Sequence, residues 1–233
     1  MARILLLETA TEVCSVGLSK DGVLLTTRTA AEDYAHARVI TLLIEECMQE
    51  VGWAYAQLSA IAVSSGPGSF TSLRVGTATA KGLCYALQIP LIRVDTLAAL
   101  AEGVVAAQPD LPKTTLIFSA IDARRKEVYQ TAFSPDLQVR SPLAAVILDT
   151  DSFSAERTDA ERLLAAGNGA PKMVELLADP RLTDTGIRCH ARHLAAPAQR
   201  AWQATDFVDV AYYEPQYLKS PNITTPKKKS LLP

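Results

Sequence analysis

Ser64–Leu87 is where this chain offers most to chemistry. It reads S-S-G-P-G-S-F-T-S-L-R-V-G-T-A-T-A-K-G-L-C-Y-A-L. A glycine-proline-glycine turn follows the apolar run Ile61-Ala62-Val63, and Ser69 stands where a helix N-cap belongs. Amides at the start of a helix attract anions, and Gly66 and Gly68 would let one come close. The same glycines also serve to shape a strand-to-helix turn, and that role is favoured. Elsewhere the chemistry is sparse. Cys189, His190 and His193 cluster, but their spacing fits no common zinc pattern and a fourth ligand is missing. Serines are plentiful, yet no G-x-S-x-G elbow presents one as a nucleophile. Cys14, Cys47 and Cys84 lie in apolar strings, where burial raises a thiol pKa and leaves it inert.

The elements that would position these residues follow from hydrophobic period. Ile4–Leu7 reads as a strand, and Cys14–Leu18 and Val23–Thr27 as a hairpin about Lys20-Asp21-Gly22. A helix covers 35–51. Its apolar residues span so wide an arc that burial on two sides is expected. Leu58–Ser64 is a strand, Ser69–Leu87 a helix of small residues, Leu91–Val94 a strand, and Thr96–Ala107 a helix capped by Asp95 or Thr96. In the small-residue helix Leu73, Gly76, Ala80, Leu83 and Leu87 share one face, and Gly82 and Ala86 lie on the adjoining one. These two helices suit an interface through Ile40, Leu43, Ile44, Cys47, Leu73, Gly76, Ala80 and Leu83. The alternative is that both faces pack inside the chain. On the interface reading, leucine at Gly76 or Ala80 blocks association and leaves a folded monomer.

The second half resumes with strands at Leu116–Asp122 and Glu127–Phe133, a helix at Thr158–Ala165 passing into a strand, a helix at Lys172–Leu177, and a helix at His190–Thr205 with Pro197 near its start. The organisation expected is a first lobe, 1–108, a smaller second lobe, 109–220, and a basic tail, 221–233. Lys227-Lys228-Lys229 in that tail is either a solvated end or a contact for tRNA phosphate or an acidic patch.

Net charge is −2, so the chain lacks the basic surplus of a protein that grips nucleic acid unaided. The four cysteines form no C-x-x-C pair and read as reduced thiols of a cytoplasmic protein. No signal-peptide h-region and no run of about 20 apolar residues suggests a membrane partner.

Four pieces of the sequence resemble the TsaB (YeaZ) family. They are I-L-L-L-E-T-A-T-E-V-C-S-V-G-L near the start, S-G-P-G-S-F-T-S-L-R-V-G-T-A-T-A-K-G-L, A-I-D-A-R-R-K-E-V-Y at Ala120–Tyr129, and G-N-G followed by the terminal E-P-Q-Y-L-K. The resemblance implies an α/β fold of two actin-like/Hsp70/sugar-kinase (ASKHA, ribonuclease H-like) lobes. It also implies a role in making N6-threonylcarbamoyladenosine in tRNA. The chain would be an accessory subunit, not itself an enzyme. It would be a homodimer alone and would pair with a TsaD-type transferase, with a TsaE-type ATPase completing the complex. tRNA would be met indirectly, and the chain would have no cofactor of its own. Family members pair through the two helices named above.

Against that background the chemical residues look reduced. The transferase paralogue holds a metal with H-x-x-x-H, and here the stretch is His36-Ala37-Arg38-Val39-Ile40, whose second position cannot coordinate. His36 reads as a surface or capping residue. Actin-like ATPases end the first strand with Asp and follow it with a glycine-rich phosphate hairpin. Here Glu8 is followed by Thr9-Ala10-Thr11-Glu12, which has no glycine. Asp122 and Arg124 are either relics of a second phosphate loop or a local ion pair. Glu8, Gly66, Gly68, Asp122 and Arg124 are therefore vestigial candidates for cofactor binding, and no catalytic or metal residue is expected. The rival readings are an autonomous actin-like ATPase or kinase and a glycopeptidase-like metalloenzyme.

Overall fold

The computed structural model describes residues 1–219. The expectation for the lysine tail lies outside the described residues. Strands β1 (Arg3–Glu8), β2 (Ser15–Lys20) and β3 (Val23–Thr29) form an antiparallel meander. Asp21 and Gly22 turn its first hairpin with φ of 49° and 82°, as the Asp-Gly step predicts. Strands β4 (Ala60–Ser64) and β5 (Leu91–Val94) add in parallel, giving the order β3-β2-β1-β4-β5. Because β1 is central it is buried on both faces, and its residues divide by period two. Leu5 and Leu7 meet helices α1 (His36–Val51) and α2 (Phe70–Leu87). Ile4 and Leu6 meet the opposite layer.

The second half repeats the plan. Strands β6 (Thr115–Asp122), β7 (Glu127–Phe133) and β8 (Val139–Ile147) form a meander, and β9 (Arg162–Ala166) and β10 (Leu182–Asp184) lie parallel to β6. The order is β10-β9-β6-β7-β8, the mirror listing of the first sheet. Helix α3 (Thr96–Ala107) covers one face and, beyond the short helix α4 (Ser154–Arg157), α5 (Ala170–Leu177) covers the other. Ser69 and Asp95 cap α2 and α3, accepting from the amides of Ser72 and Ala98.

Three expectations are corrected. The strand expected from Leu163 is present as 162–166, but the helix expected over 158–165 is not formed. Leu-Leu-Ala-Ala has helical propensity, but pairing with β6 buries all four side chains between two helical layers. Strand β8, not among the expected elements, carries no clean alternation because it is an exposed edge with Pro142 inside it. The lobe boundary at 108 does not hold for packing. Helix α3 inserts Leu97, Leu100 and Val104 into the second sheet's core with Ile117 and Leu164. The chain's end returns the exchange. A 3-10 turn at Ala191–Leu194 and helix α6 (Ala195–Gln203) cover the first sheet through Ala191, Leu194 and Ala198. Residues 191–203 thus complete the first lobe, not the second. Among the described residues, no helix is long and apolar enough to cross a membrane.

Candidate functional site

The ends of β1 and β6 face each other across a cleft of about 1660 Å³. Each lobe brings the same parts to it: an acid at the strand end, the following turn, a second loop, and the start of a helix. In the first lobe these are Glu8, Thr9–Glu12, Gly66–Ser69 and α2. In the second they are Asp122, residues 123–126, Gly167–Gly169 and α5.

The first-lobe half is turned inward. Glu8 is 1% exposed, and its Oε1 accepts the Ala10 N–H at 2.7 Å. Burial pushes the Glu8 carboxyl up to about 7, offset in part by hydrogen bonds from Ala10, Ser64 and Thr9. The Thr9 N–H donates to Ser64 Oγ at 3.1 Å, and the Ala10 carbonyl accepts the Ser69 N–H at 2.7 Å. The two amides that would meet a phosphate are thus already bonded within the chain. The glycine loop closes over them. A Cβ at Gly68 would collide with the Ala10 backbone, and one at Gly66, where φ is 103°, would lie 2.6 Å from the Gln216 carbonyl oxygen. Both glycines are required by packing, which accords with their shaping role.

The second-lobe half is more open. Asp122 donates its N–H to Asn168 Oδ1 at 2.9 Å, and its Oδ1 accepts the Arg124 N–H at 2.6 Å. Its ion-pair partner is Lys172 and not Arg124, which corrects the expected local pair. Asn168 Nδ2 donates across the cleft to Glu12 Oε2 at 2.8 Å, and Lys219 pairs with Glu127. Lys172 carries no sequence signal of its own. It meets Asp122 only because α5 starts beside the end of β6.

His36 is buried, which corrects its reading as a surface residue. Among the described residues its Nε2 has no hydrogen-bond partner, and burial lowers its pKa. His190 and His193 are pushed down to about 4, first by burial and then by Arg192. His190 Nδ1 accepts the Arg192 N–H, and its Nε2 lies 3.1 Å from Thr29 Oγ1. Among the described residues, no three His, Cys, Asp or Glu side chains gather as a metal site would require. Burial raises the thiols of Cys14 and Cys84 to about 12 and of Cys47 to about 11, and it also raises Cys189.

The proposed interface residues are mostly internal. Ile40, Leu43, Ile44, Cys47, Leu73, Gly76 and Ala80 are all buried within this one chain, and Leu83 packs half-buried against the same core. Most of the wide apolar arc of α1 packs on β2, β3 and α2 within the chain, while Leu42 stays 54% exposed. At Gly76 a Cβ would collide with the Thr9 side chain. Leucine there, or at the fully buried Ala80, would disrupt the fold before it could test association. What α2 does present to solvent is the adjoining stripe Ala78, Gly82 and Ala86, flanked by Arg74 and Tyr85. A Cβ at Gly82 would meet nothing within 4 Å.

The family model described as TsaD, tRNA N6-adenosine threonylcarbamoyltransferase, matches residues 29–150. The tRNA threonylcarbamoyladenosine biosynthesis protein TsaB of Escherichia coli (strain K12) is 34% identical over 134 residues, 58% of this chain and 56% of that protein. The chain thus spans about half the length of such curated relatives. The structure of YeaZ from Pseudomonas aeruginosa superposes with a TM-score of 0.80 at 29% identity, covering 94% of this chain and 100% of that one. At 9% identity and a TM-score of 0.50, the activator of the 2-hydroxyisocaproyl-CoA dehydratase from Clostridium difficile shares the fold, covering 87% of this chain and 97% of its own. Two duplicated lobes closing on a cleft define the actin-like, or ASKHA, class of α/β proteins. Within that class the chain belongs to the TsaB/YeaZ family.

Proposed function

We propose that this chain is a non-catalytic partner subunit in the synthesis of N6-threonylcarbamoyladenosine in tRNA. It pairs with a TsaD-type transferase and raises its activity, and a TsaE-type ATPase joins through that pair. The observation that carries this reading is the inward turn of the first loop. Glu8 is buried, the amides of Thr9 and Ala10 bond within the chain, and Gly68 packs on Ala10. A kinase-like lobe sealed in this way keeps the scaffold and lacks an open phosphate cradle. Association then supplies the function. The partner is held in its active conformer by tighter binding to that conformer than to others. The surface offered for this is the outward stripe of α2, where Ala78, Gly82 and Ala86 permit close helix approach. The same stripe pairs two copies of the chain when the transferase is absent. The setting is cytoplasmic, and no cofactor is bound by this chain itself.

Reconstitution tests the proposal. Transferase turnover on tRNA is measured with and without the purified chain, alongside ATP hydrolysis by the chain alone. Strong stimulation with no intrinsic hydrolysis is expected. Equal transferase rates in both arms overturn the partner role, and robust ATP turnover by the isolated chain restores the ATPase reading.

A further inference from the structure

The cleft's charges are mostly spoken for, and the exception is informative. Glu12 is bonded to Asn168, Asp122 is paired with Lys172, and Glu127 is paired with Lys219. Every carboxylate lining the cleft therefore has its partner. Arg124, Arg125 and Lys126 line it as well. All three are exposed, and among the described residues none meets a carboxylate within 4.0 Å. Arg124 and Arg125 both hold left-handed backbone, with φ of 70° and 52°. Side-chain-bearing residues seldom adopt it unless their surroundings impose it. Two bonds impose it here: Arg124 N–H to Asp122 Oδ1, and Glu127 N–H to the Arg124 carbonyl at 3.1 Å. Three unpaired cations thus project from one tight turn, on a chain whose net charge is −2.

The lip contributed by the first lobe is aromatic. Tyr34 is 70% exposed and also left-handed, at φ 56°, with its N–H held by the Glu12 carbonyl at 2.9 Å. Tyr217 lies with its ring centroid 4.7 Å from that of Phe70 at the start of α2. Size favours an extended ligand. At about 1660 Å³ the cleft exceeds the roughly 300–1,000 Å³ typical of small-molecule sites. Phe70 and Tyr217 are half-buried, so Tyr34 is the exposed ring of the three. Cations and an exposed aromatic ring lining one open groove are the arrangement that holds single-stranded nucleic acid, phosphates on the cations and a base on the ring.

We propose that the inter-lobe cleft binds a single-stranded stretch of RNA directly, with its phosphates on Arg124, Arg125 and Lys126 and a base on Tyr34. The identity of the RNA as tRNA rests on the function proposed above, in which tRNA reaches the complex through the transferase. The direct contact goes beyond it.

The test uses the full chain and a fluorescein-labelled anticodon-arm RNA hairpin, read by anisotropy across a salt series. The triple variant R124E/R125E/K126E is expected to bind at least about tenfold more weakly and to lower the salt slope by about 2. Tyr34→Ala is expected to weaken binding about tenfold at unchanged slope. Thermal melts verify that both variants fold. K227A/K228A/K229A in the full chain is expected to bind as the parent does. Retained affinity in the triple variant, loss confined to the tail variant, or absence of RNA binding by the parent overturns the proposal. Equal displacement of the RNA by ATP assigns the site to a nucleotide. Equal displacement by polyglutamate, with Tyr34→Ala silent, assigns it to an acidic peptide. Both results overturn the RNA assignment. A chain that stimulates the transferase yet fails these tests leaves the partner role standing.

Discussion

Glu8 shows how burial changes what one residue can do. A carboxyl at the end of the first strand suggests a phosphate or metal role, but this one is sealed behind Ala10 and Ser64. Its ordinary 4.5 rises to about 7 in the folded chain, so the folded state holds its proton where the unfolded state has released it. Stability contributed by the protonated form is present below 4.5 and declines as pH rises through 7, by about 3 kcal/mol in all. Glu8→Gln, which cannot ionise, should therefore gain in melting temperature relative to the parent as pH goes from 5 to 8. Parallel melting curves across that range would refute the assignment. Asp179 behaves in the opposite sense. Hydrogen bonds from Arg181, with help from Arg157, hold it at about 2, so its contribution is present above its ordinary pKa and lost as pH falls through 2. Gly76 and Gly82 separate in the same residue-level way. Gly76→Ala drives a methyl group into Thr9 and should cost about 1–3 kcal/mol in urea unfolding. Gly82→Ala fills open space on a helix and should stabilise the monomer by about 0.5–1 kcal/mol.

At the scale of the element, α2 separates a core face from an exposed one. Its buried side, Leu73, Gly76, Ala80 and Cys84, is fixed by β4 and the Thr9 loop. Its free side carries Ala78, Gly82 and Ala86. If that free side makes the contact proposed above, Gly82→Arg should abolish self-association and transferase pairing in sedimentation experiments without lowering the melting temperature. An unchanged sedimentation coefficient would move the contact to another face. The spacing of small residues was readable from the sequence, and so was the presence of two usable faces. Which face the sheet takes was not, because Gly76 and Gly82 are chemically identical until Thr9 stands against one of them. The same limit applies to 162–166, whose Leu-Leu-Ala-Ala fits a helix as well as a buried strand until β6 lies beside it.

The whole molecule is built by exchange between its halves. Helix α3 leaves the first lobe to cover the second sheet, and residues 191–203 return from the chain's end to cover the first. A fragment ending at residue 108 should consequently fail to fold cooperatively, since Ile4, Leu6 and Ile92 would lose their cover. A sharp two-state melt of that fragment would contradict this architecture. Leu194→Ala, distant in sequence from the first sheet but fully buried on it, should cost about 2–5 kcal/mol of the intact chain's stability.

Local order carried much of this protein in its sequence alone. The hairpin at Asp21-Gly22, the caps at Ser69 and Asp95, the strand-to-helix turn at Gly66–Gly68 and the inert apolar thiols all follow from residue type and near neighbours. Backbone preference and capping act over a few residues, and a sequence displays them directly. Tertiary structure alone decided that Lys172 and not Arg124 neutralises Asp122, that His36 is interior, and that Arg124, Arg125 and Lys126, unpaired among the described residues, line one cleft with Tyr34. Those outcomes depend on which distant groups arrive at the same point in space. Pairing and desolvation act through distance, and distance between remote residues is set only when both sheets have closed on the cleft.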